Sequence, residues 1–332
     1  MREIEVKNND AGQRLDKFLT KTLDLPASLL YKSIRTKKIK LNRKRAEIGT
    51  LLSPGDKIQC FLKDELFSKL DNKGAGVSVY SSVIPKLSII YEDENILLVD
   101  KKPGISVHED EHSENNTLIM HILAYLYQKG EYNPEDEQSF VPALCNRIDR
   151  NTGGIVIAAK NAEALRIMNL KIKNREIDKF YLAAVHGIPK KSSDTLKGYL
   201  VKNEKLNTVS VFDAVSGKNQ SLPRGAKTIL TRYNVLAKGD GCALLEVELL
   251  TGRTHQIRAH MAHIGHPLIG DGKYGTNKSD RERGYKYQAL YSYRLKFSFS
   301  EKEKTALDYL SGKEFRIPKD EIYFVRDFIK QS

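Results

Sequence analysis

The chain has 332 residues, with 55 Lys or Arg against 42 Asp or Glu and a formal net charge of +13, an excess that points to a polyanionic partner, nucleic acid first. With 40% apolar and 29% charged residues it is not a globally disordered chain, and its length predicts about two domains. Cys60, Cys145 and Cys242 are odd in number, far apart and outside any CxxC or CxxH pair, which excludes a cysteine zinc centre and a disulfide framework and fits a cytoplasmic setting.

The charge is concentrated at the N-terminus, where residues 1–62 hold 14 Lys or Arg against 7 Asp or Glu. Asp10 with Gln13 reads as a capping box ahead of Leu15, Phe18, Leu19 and Leu23, whose spacing predicts an amphipathic helix. A second helix is expected near Pro26, turning Leu29, Leu30 and Ile34 inward and Lys32 and Arg35 outward. Lys32, Arg35, Lys37, Lys38, Lys40, Arg43, Lys44 and Arg45 then form a basic run without an acid. Ile39 with Leu41, and Ile58 with Cys60 and Leu62, alternate as strands around a turn at Pro54-Gly55-Asp56. This segment resembles the S4 RNA-binding module over residues 1–62, which implies an RNA-facing surface that includes Lys32, Arg35, Lys37 and Lys38; without the resemblance, the run reads as a solvated basic face.

Residues 63–84 mix charge, Gly and Ser with little periodicity and read as a linker. From residue 85 to 332, strand-like runs outnumber helices: LSIIYEDENILLVDKKPG as two strands, GGIVIAAK, KFYLAAVHG, CALLEVELL and ALYSYRLKFSF, with helices at Leu118–Tyr127 and after a cap at Asn161. The expected class is α+β, a small N-terminal domain followed by a larger one with a mixed, mainly antiparallel sheet. Acidic stretches at Glu109–Glu114 and Glu131–Glu137 are poor RNA contacts. No run approaches the ~20 apolar residues of a membrane span, and MREIEVKNND lacks a signal-peptide core, so a soluble protein with no membrane partner is expected.

Several chemistries lack their handles. There is no GxxxxGK[ST] loop and no GxSxG elbow, and the GxGxxG at Gly270–Gly275 runs into NKSDRERG instead of an apolar helix. His255, His260, His263 and His266 cluster in sequence, but without HExxH or a carboxylate among them they read as packing and RNA-contact residues, and no metal is assigned. In NRIDRNTGG, Asp149 stands between Arg147 and Arg150 before a glycine pair. That is either a structural ion pair or a carboxylate kept ionised beside cations, as a nucleophile or general base requires.

NRIDRNTGGIVIAAK, KFYLAAVHG, TGRTHQIRAHMAHIGHPLIGDGKYG and IIYEDENILLVDKKPGISVH, in their positions along the chain, resemble the motifs of the RluA family of pseudouridine synthases; with the preceding module the order is RluC-like. The resemblance implies an RNA isomerase that needs no cofactor, acting on large-subunit (23S-type) ribosomal RNA; a monomer is expected. It carries the catalytic aspartate onto Asp149, the active-site tyrosine onto Tyr181, and the basic partner of the aspartate onto Arg258, with Arg253 as competitor and, like Arg147 and Arg150, an RNA contact. Where the family has HRLDR, this chain has Asn146-Arg147-Ile148-Asp149-Arg150, which puts the local support of the carboxylate in question. Attack on C1′ and proton abstraction toward a glycal both remain open for Asp149, as do a transfer-RNA substrate and a silent RNA-binding factor on the same scaffold.

Overall fold

A computed structural model describes residues 1–71, 75–109, 116–213, 222–300 and 304–329; the acidic stretch beyond Glu109 lies outside them. The N-terminal residues form their own layer. Strands β1 (Arg2–Glu5), β2 (Ile39–Leu41), β3 (Lys44–Arg45) and β4 (Lys57–Cys60) pair in the order β1-β4-β2-β3, and helices α1 (Leu15–Thr22) and α2 (Ala27–Arg35) lie on them. Phe18, Leu19, Leu30, Ile34, Ile39 and Ile58 close a common core. Leu29 departs from expectation at 45% exposed, because Leu30 and Ile34 already fill the one stripe that α2 turns inward.

Asp10 and Gln13 do not cap α1. Asp10 sits in a 3-10 turn, its Oδ1 accepting from the Ser139 amide at 3.1 Å and hydroxyl at 2.6 Å, while Gln13 Nε2 donates to the Asp10 carbonyl and to Ser139 Oγ. Arg14 is the N-cap, with no side-chain cap bond. These polar groups are spent on fastening the N-terminal layer to the rest of the chain, where the Ala162 amide also donates to Asn9 Oδ1 and Arg166 to the Ala11 carbonyl.

The stretch 63–84 carries more structure than a linker. A 3-10 turn, Asp64–Phe67, runs into α3 (Ser68–Asp71), and Phe67 is fully buried in the N-terminal core. Helix α4 (Ala75–Ser82) then packs beside α5 (Leu118–Gln128), with the Tyr80 and Tyr127 rings 6.2 Å apart.

Among the described residues the remaining strands join one eleven-stranded sheet. They are β5 (Ile89–Glu92), β6 (Ile96–Lys101), β7 (Ala143–Leu144), β8 (Gly153–Ala159), β9 (Ile177–His186), β10 (Ser193–Asn203), β11 (Thr208–Asp213), β12 (Lys227–Gly239), β13 (Cys242–Leu249), β14 (Leu290–Phe297) and β15 (Glu314–Arg316). Their order is β11-β10-β12-β13-β9-β14-β8-β6-β5, with β15 on β14 and β7 on β8, and only the β8–β14 pair is parallel. The chain is thus α+β with a mainly antiparallel sheet, as its alternation predicts. Strands β10, β11 and β12 do not stand out in the sequence because their buried positions are few and divided: Leu200, Val209 and Ile229 form a small core with Ala259, while Tyr233 joins a larger one.

The two faces of the sheet have different covers. Period-two alternation sends Leu182 and Ala184 of β9 to a face packed by α6 (Ala162–Lys173), by Phe324 and by Phe328 of the C-terminal helix α8 (Arg326–Ile329). It sends Tyr181, Ala183 and Val185 to the other face, with α5 and α7 (Gln256–His263). Between the sheet and the Asp149 loop lies Gly153-Gly154. A Cβ on Gly153 would stand 2.3 Å from the Tyr291 ring, and one on Gly154, at φ +120°, 2.2 Å from the Ser292 carbonyl oxygen. Only glycines let β14 approach β8 this closely in parallel register. Gly154→Ala is expected to cost on the order of 3 kcal/mol or more of folding stability, since both the conformation and the space are wrong. Thermal and urea unfolding of the purified variant measure it, and an unchanged midpoint contradicts the assignment.

Candidate active site

The loop bearing Asp149 is tied down before any substrate enters. The Thr152 amide donates to the Asp149 carbonyl at 3.0 Å, closing a turn, and Gln288 Nε2 donates to Thr152 Oγ1. Asn146, where the family has His, holds the loop to β8: its Oδ1 accepts from the Ile157 amide at 2.7 Å and its Nδ2 donates to the Ile155 carbonyl at 3.3 Å. Ile148 is buried against the α5 face. Both departures from HRLDR are therefore accommodated within the loop.

Helix α7 brings Arg258 to this carboxylate. Arg258 Nη1 donates to Asp149 Oδ2 at 2.9 Å, while Nε and Nη2 form a two-pronged pair with Asp271 at 2.7 and 2.8 Å. Asp271 is fully buried, accepts also from the Lys273 and Tyr274 amides, and the Tyr274 ring lies 5.2 Å from the guanidinium. Burial opposes the charge on Arg258, but Asp271 and then Asp149 more than offset it and raise its pKa. Burial would likewise lift Asp271, yet the Arg258 fork and the two amides hold it below the ordinary carboxylate range. Asp271 fixes the plane of the guanidinium, leaving one N–H edge for Asp149.

The helix itself is pinned by Gln256. Its Oε1 accepts from Thr251 Oγ1 and the Arg253 amide, and its Nε2 donates to the Leu230 carbonyl and Thr231 Oγ1. Tyr181, on β9, is only 6% exposed and stands opposite Ser292 in the β9–β14 ladder. Burial pushes its phenol up to about 12, with Ser292 opposing and the Asp149 charge adding to the shift, so it stays protonated at neutral pH. Asp149, Tyr181 and Arg258 thus meet on one face of the sheet.

The basic residues separate into two places. Arg147, Arg150 and Arg253 are exposed around the Asp149 turn and the start of α7, with Arg150 Nε donating to the Gly104 carbonyl. Lys32, Arg35, Lys37 and Lys38 are exposed on and after α2 in the N-terminal layer. The four histidines disperse: His255 pairs with Tyr274, His260 with Thr231, His263 with Asp213, and His266 with the His186 carbonyl. Burial pulls His260 down to about 4.

Three residues beside the site carry no separate signal in the sequence: Asp271, Tyr274 and Lys101. Lys101 ends β6 fully buried, its Nζ donating to the carbonyls of Lys102, Ile105 and Arg150 at 3.2, 2.9 and 2.9 Å. It ties the 102–105 loop to the Asp149 loop. In DKKPG a lysine at the end of a strand reads as solvated.

A family model described as RNA pseudouridylate synthase matches residues 95–263. Sequence relatives include the ribosomal large subunit pseudouridine synthase C of Buchnera aphidicola subsp. Baizongia pistaciae, 32% identical over 282 residues, 83% of this chain and 82% of that one. An uncharacterized RNA pseudouridine synthase of Mycoplasma genitalium, MG370, is 33% identical over 304 residues and 90% of both chains. Among solved structures, human RNA pseudouridylate synthase domain containing 4 aligns with a TM-score of 0.56 at 20% identity, over 72% of this chain and 90% of that one, a likeness of fold. The molecule is therefore an RNA-modifying isomerase, built on a sheet it shares with enzymes that rearrange uridine. More narrowly, the chain belongs to the RNA pseudouridylate synthase family, in its RluA/RluC branch, and is an RNA pseudouridine synthase.

The buried amine yields a test of the site's frame. Burial pulls Lys101 down to about 7, against the attraction of Asp149 and Asp100. The unfolded chain holds that proton to about pH 10.4, so between pH 7 and 10 the native state binds fewer protons and stability rises with pH, by up to about 1.4 kcal/mol per unit. Urea unfolding at a series of pH values should show this rise in the intact protein and its loss in Lys101→Met. Equal pH slopes contradict a depressed Lys101.

Proposed function

We propose that this synthase isomerises uridines of large-subunit ribosomal RNA, as a cytoplasmic monomer, with Asp149 as the catalytic carboxylate. The observation that carries the chemistry is the contact between Arg258 and Asp149, two residues 109 positions apart brought to 2.9 Å. The substrate reading is supported by relatives that are named ribosomal large subunit pseudouridine synthase C and share about a third of their residues with this chain.

In the reaction the N1–C1′ bond of uridine breaks, the uracil turns, and a C5–C1′ bond forms; a proton leaves C5 and N1 regains one, so the atoms balance with no outside reagent. Asp149 acts on the sugar, either by bonding to C1′ or by taking a proton toward a glycal. Arg258 orients and neutralises it. Tyr181, neutral and buried, stacks on the displaced uracil and offers its hydroxyl near the atoms that exchange protons. A base that must turn has first to leave its stack, so the target uridine is flipped onto this face of the sheet.

Holding a flipped nucleotide requires purchase on the backbone. Arg147, Arg150 and Arg253 surround the site and contact flanking phosphates, while residues 1–62 serve as an S4-like module that binds RNA through Lys32, Arg35, Lys37 and Lys38. Residues 85–332 form the catalytic domain in this reading.

Release of tritium from C5-labelled uridine in ribosomal RNA tests the first assignment. Asp149→Asn should lower turnover by roughly a thousandfold or more, since it removes the reacting group itself; near-normal release removes Asp149 from the role. Release from transfer RNA alone would move the substrate. Neutralising Lys32, Arg35, Lys37 and Lys38 together should weaken RNA affinity and flatten its salt dependence, by roughly 0.7 to 0.9 in log–log slope for each phosphate that the variant no longer neutralises. Unchanged affinity and slope return these residues to a solvated surface.

A further inference from the structure

His255 takes no part in the assignments above, yet the fold gives it an unusual position. It is the N-cap of α7, held in the left-handed region at φ 53° and ψ 19°, which a non-glycine residue adopts at a cost. That conformation drives its side chain inward, where only 9% stays exposed. Its Nε2 lies 3.8 Å from Asp149 Oδ2, the same oxygen that Arg258 holds at 2.9 Å. Among the described residues Asp149 Oδ1 has no hydrogen-bond partner, and the side chain keeps 26% exposure.

The ring's other nitrogen decides what faces the carboxylate. His255 Nδ1 is 2.8 Å from the Tyr274 hydroxyl, and that hydroxyl already accepts the Val209 amide of β11 at 2.9 Å. With its oxygen engaged by Val209, the phenol sends its own proton to Nδ1. The remaining proton of a neutral imidazole then sits on Nε2, pointing at Asp149. The opposite tautomer would turn a lone pair toward a carboxylate and leave the phenol proton without a partner. Around the ring stand Asp149, Arg258, Lys273, Asp271 and Tyr274; burial, with Arg258 and Lys273, keeps the imidazole from charging, against the pull of Asp149 and Asp271.

We infer that His255 is a positioning residue for Asp149: its Nε2–H, aimed by Tyr274, shares Oδ2 with Arg258 and so turns the unpaired Oδ1 toward the sugar of the bound nucleotide. The inference rests on the reading of Asp149 as the catalytic carboxylate. The 3.8 Å separation is longer than a hydrogen bond and closes when substrate seats the carboxylate, as happens to catalytic contacts on passing from free enzyme to complex. Val209 extends the chain to the β10–β11 hairpin, so the side of the site remote from the Asp149 loop also bears on the carboxylate.

The test is tritium release from ribosomal RNA under saturating and limiting RNA, with His255→Phe, His255→Gln, Tyr274→Phe and the His255→Phe/Tyr274→Phe pair. Phe keeps the ring's bulk and loses the donor, whereas Gln places an N–H near Nε2. His255→Phe should lower kcat roughly tenfold with KM little changed, the loss of about one donor to the reacting group, and His255→Gln should recover most of it. Tyr274→Phe keeps the ring over Arg258; it should lower kcat several-fold alone and have no effect in the His255→Phe background, because it acts through the imidazole. A normal kcat in His255→Phe, or a Gln variant no better than Phe, overturns the inference and leaves packing as the role of His255. A Tyr274 effect undiminished in the double variant overturns it as well. Should His255→Phe fail to fold, an unchanged kcat in Tyr274→Phe is decisive against it. Activity of Asp149→Asn under the same assay separates the two levels: if that variant turns over, the underlying reading falls and takes this one with it, whereas an inactive Asp149→Asn beside a normal His255→Phe removes this one alone.

Discussion

The site depends on one buried guanidinium holding two carboxylates. Arg258 and Asp271 are both taken out of water, a move that is costly for each ion on its own and tolerable only because the fork geometry supplies two charge-assisted bonds and the Lys273 and Tyr274 amides supply more. Removing one partner of such a buried pair costs about 3–5 kcal/mol, largely through the charge it strands. Asp149, the third member, is the one left partly open to solvent. Asp149 is thus the least committed of the three, and the other two define where it can stand.

Everything near that pair can be read as a means of holding it still. Gln256 ties the first turn of α7 to the Leu230–Thr231 segment of β12. Period-two alternation along β9 gives Tyr181 to the face that α7 covers and gives Leu182 to the opposite core. The glycine pair at the start of β8 lets β14 press close beneath the Asp149 loop, and this sets Ser292 opposite Tyr181, a side chain small enough to leave the phenol room. Sheet packing and site geometry are one construction here, because the strands that fill the core also aim the polar groups.

How much of this was legible in the chain depends on whether a residue's function is local. The strands β5, β6, β8, β9, β13 and β14 announce themselves through neighbours a few positions away, whereas Asp149 between two arginines reads equally as a structural ion pair until the motifs around it are compared with a family. Asp271 does not announce itself: its partner is 13 residues back on a helix, and as one acid in a glycine-rich turn it has no periodicity to betray burial. Lys101 was hidden because composition treats lysine as a surface residue, whereas three carbonyls gathered from two loops make an interior place for it. Asp10 and Gln13 satisfied a capping pattern and were instead used across the junction with Ser139, a partner 129 residues away in sequence from Asp10. Local rules describe what a segment prefers; these positions record what tertiary contacts chose among the preferences.

The reciprocal bonds between the two loops at the mouth of the site have a further meaning. The Gly104 amide donates to the Arg150 carbonyl, Arg150 Nε donates back to the Gly104 carbonyl, and Lys101 joins the same Arg150 carbonyl from below. A loop held by such a brace has already surrendered its backbone entropy during folding, so in the proposed function little reorganisation of the backbone beneath Asp149 is required when the nucleotide arrives. The deformation needed to reach the reacting geometry then falls mainly on the nucleic acid. Uridines differ in how readily they can be drawn out of a helix or loop; under the proposed role of Asp149, a rigid receptor would make that difference a criterion of selection, with the compliance of the surrounding RNA telling equal bases apart.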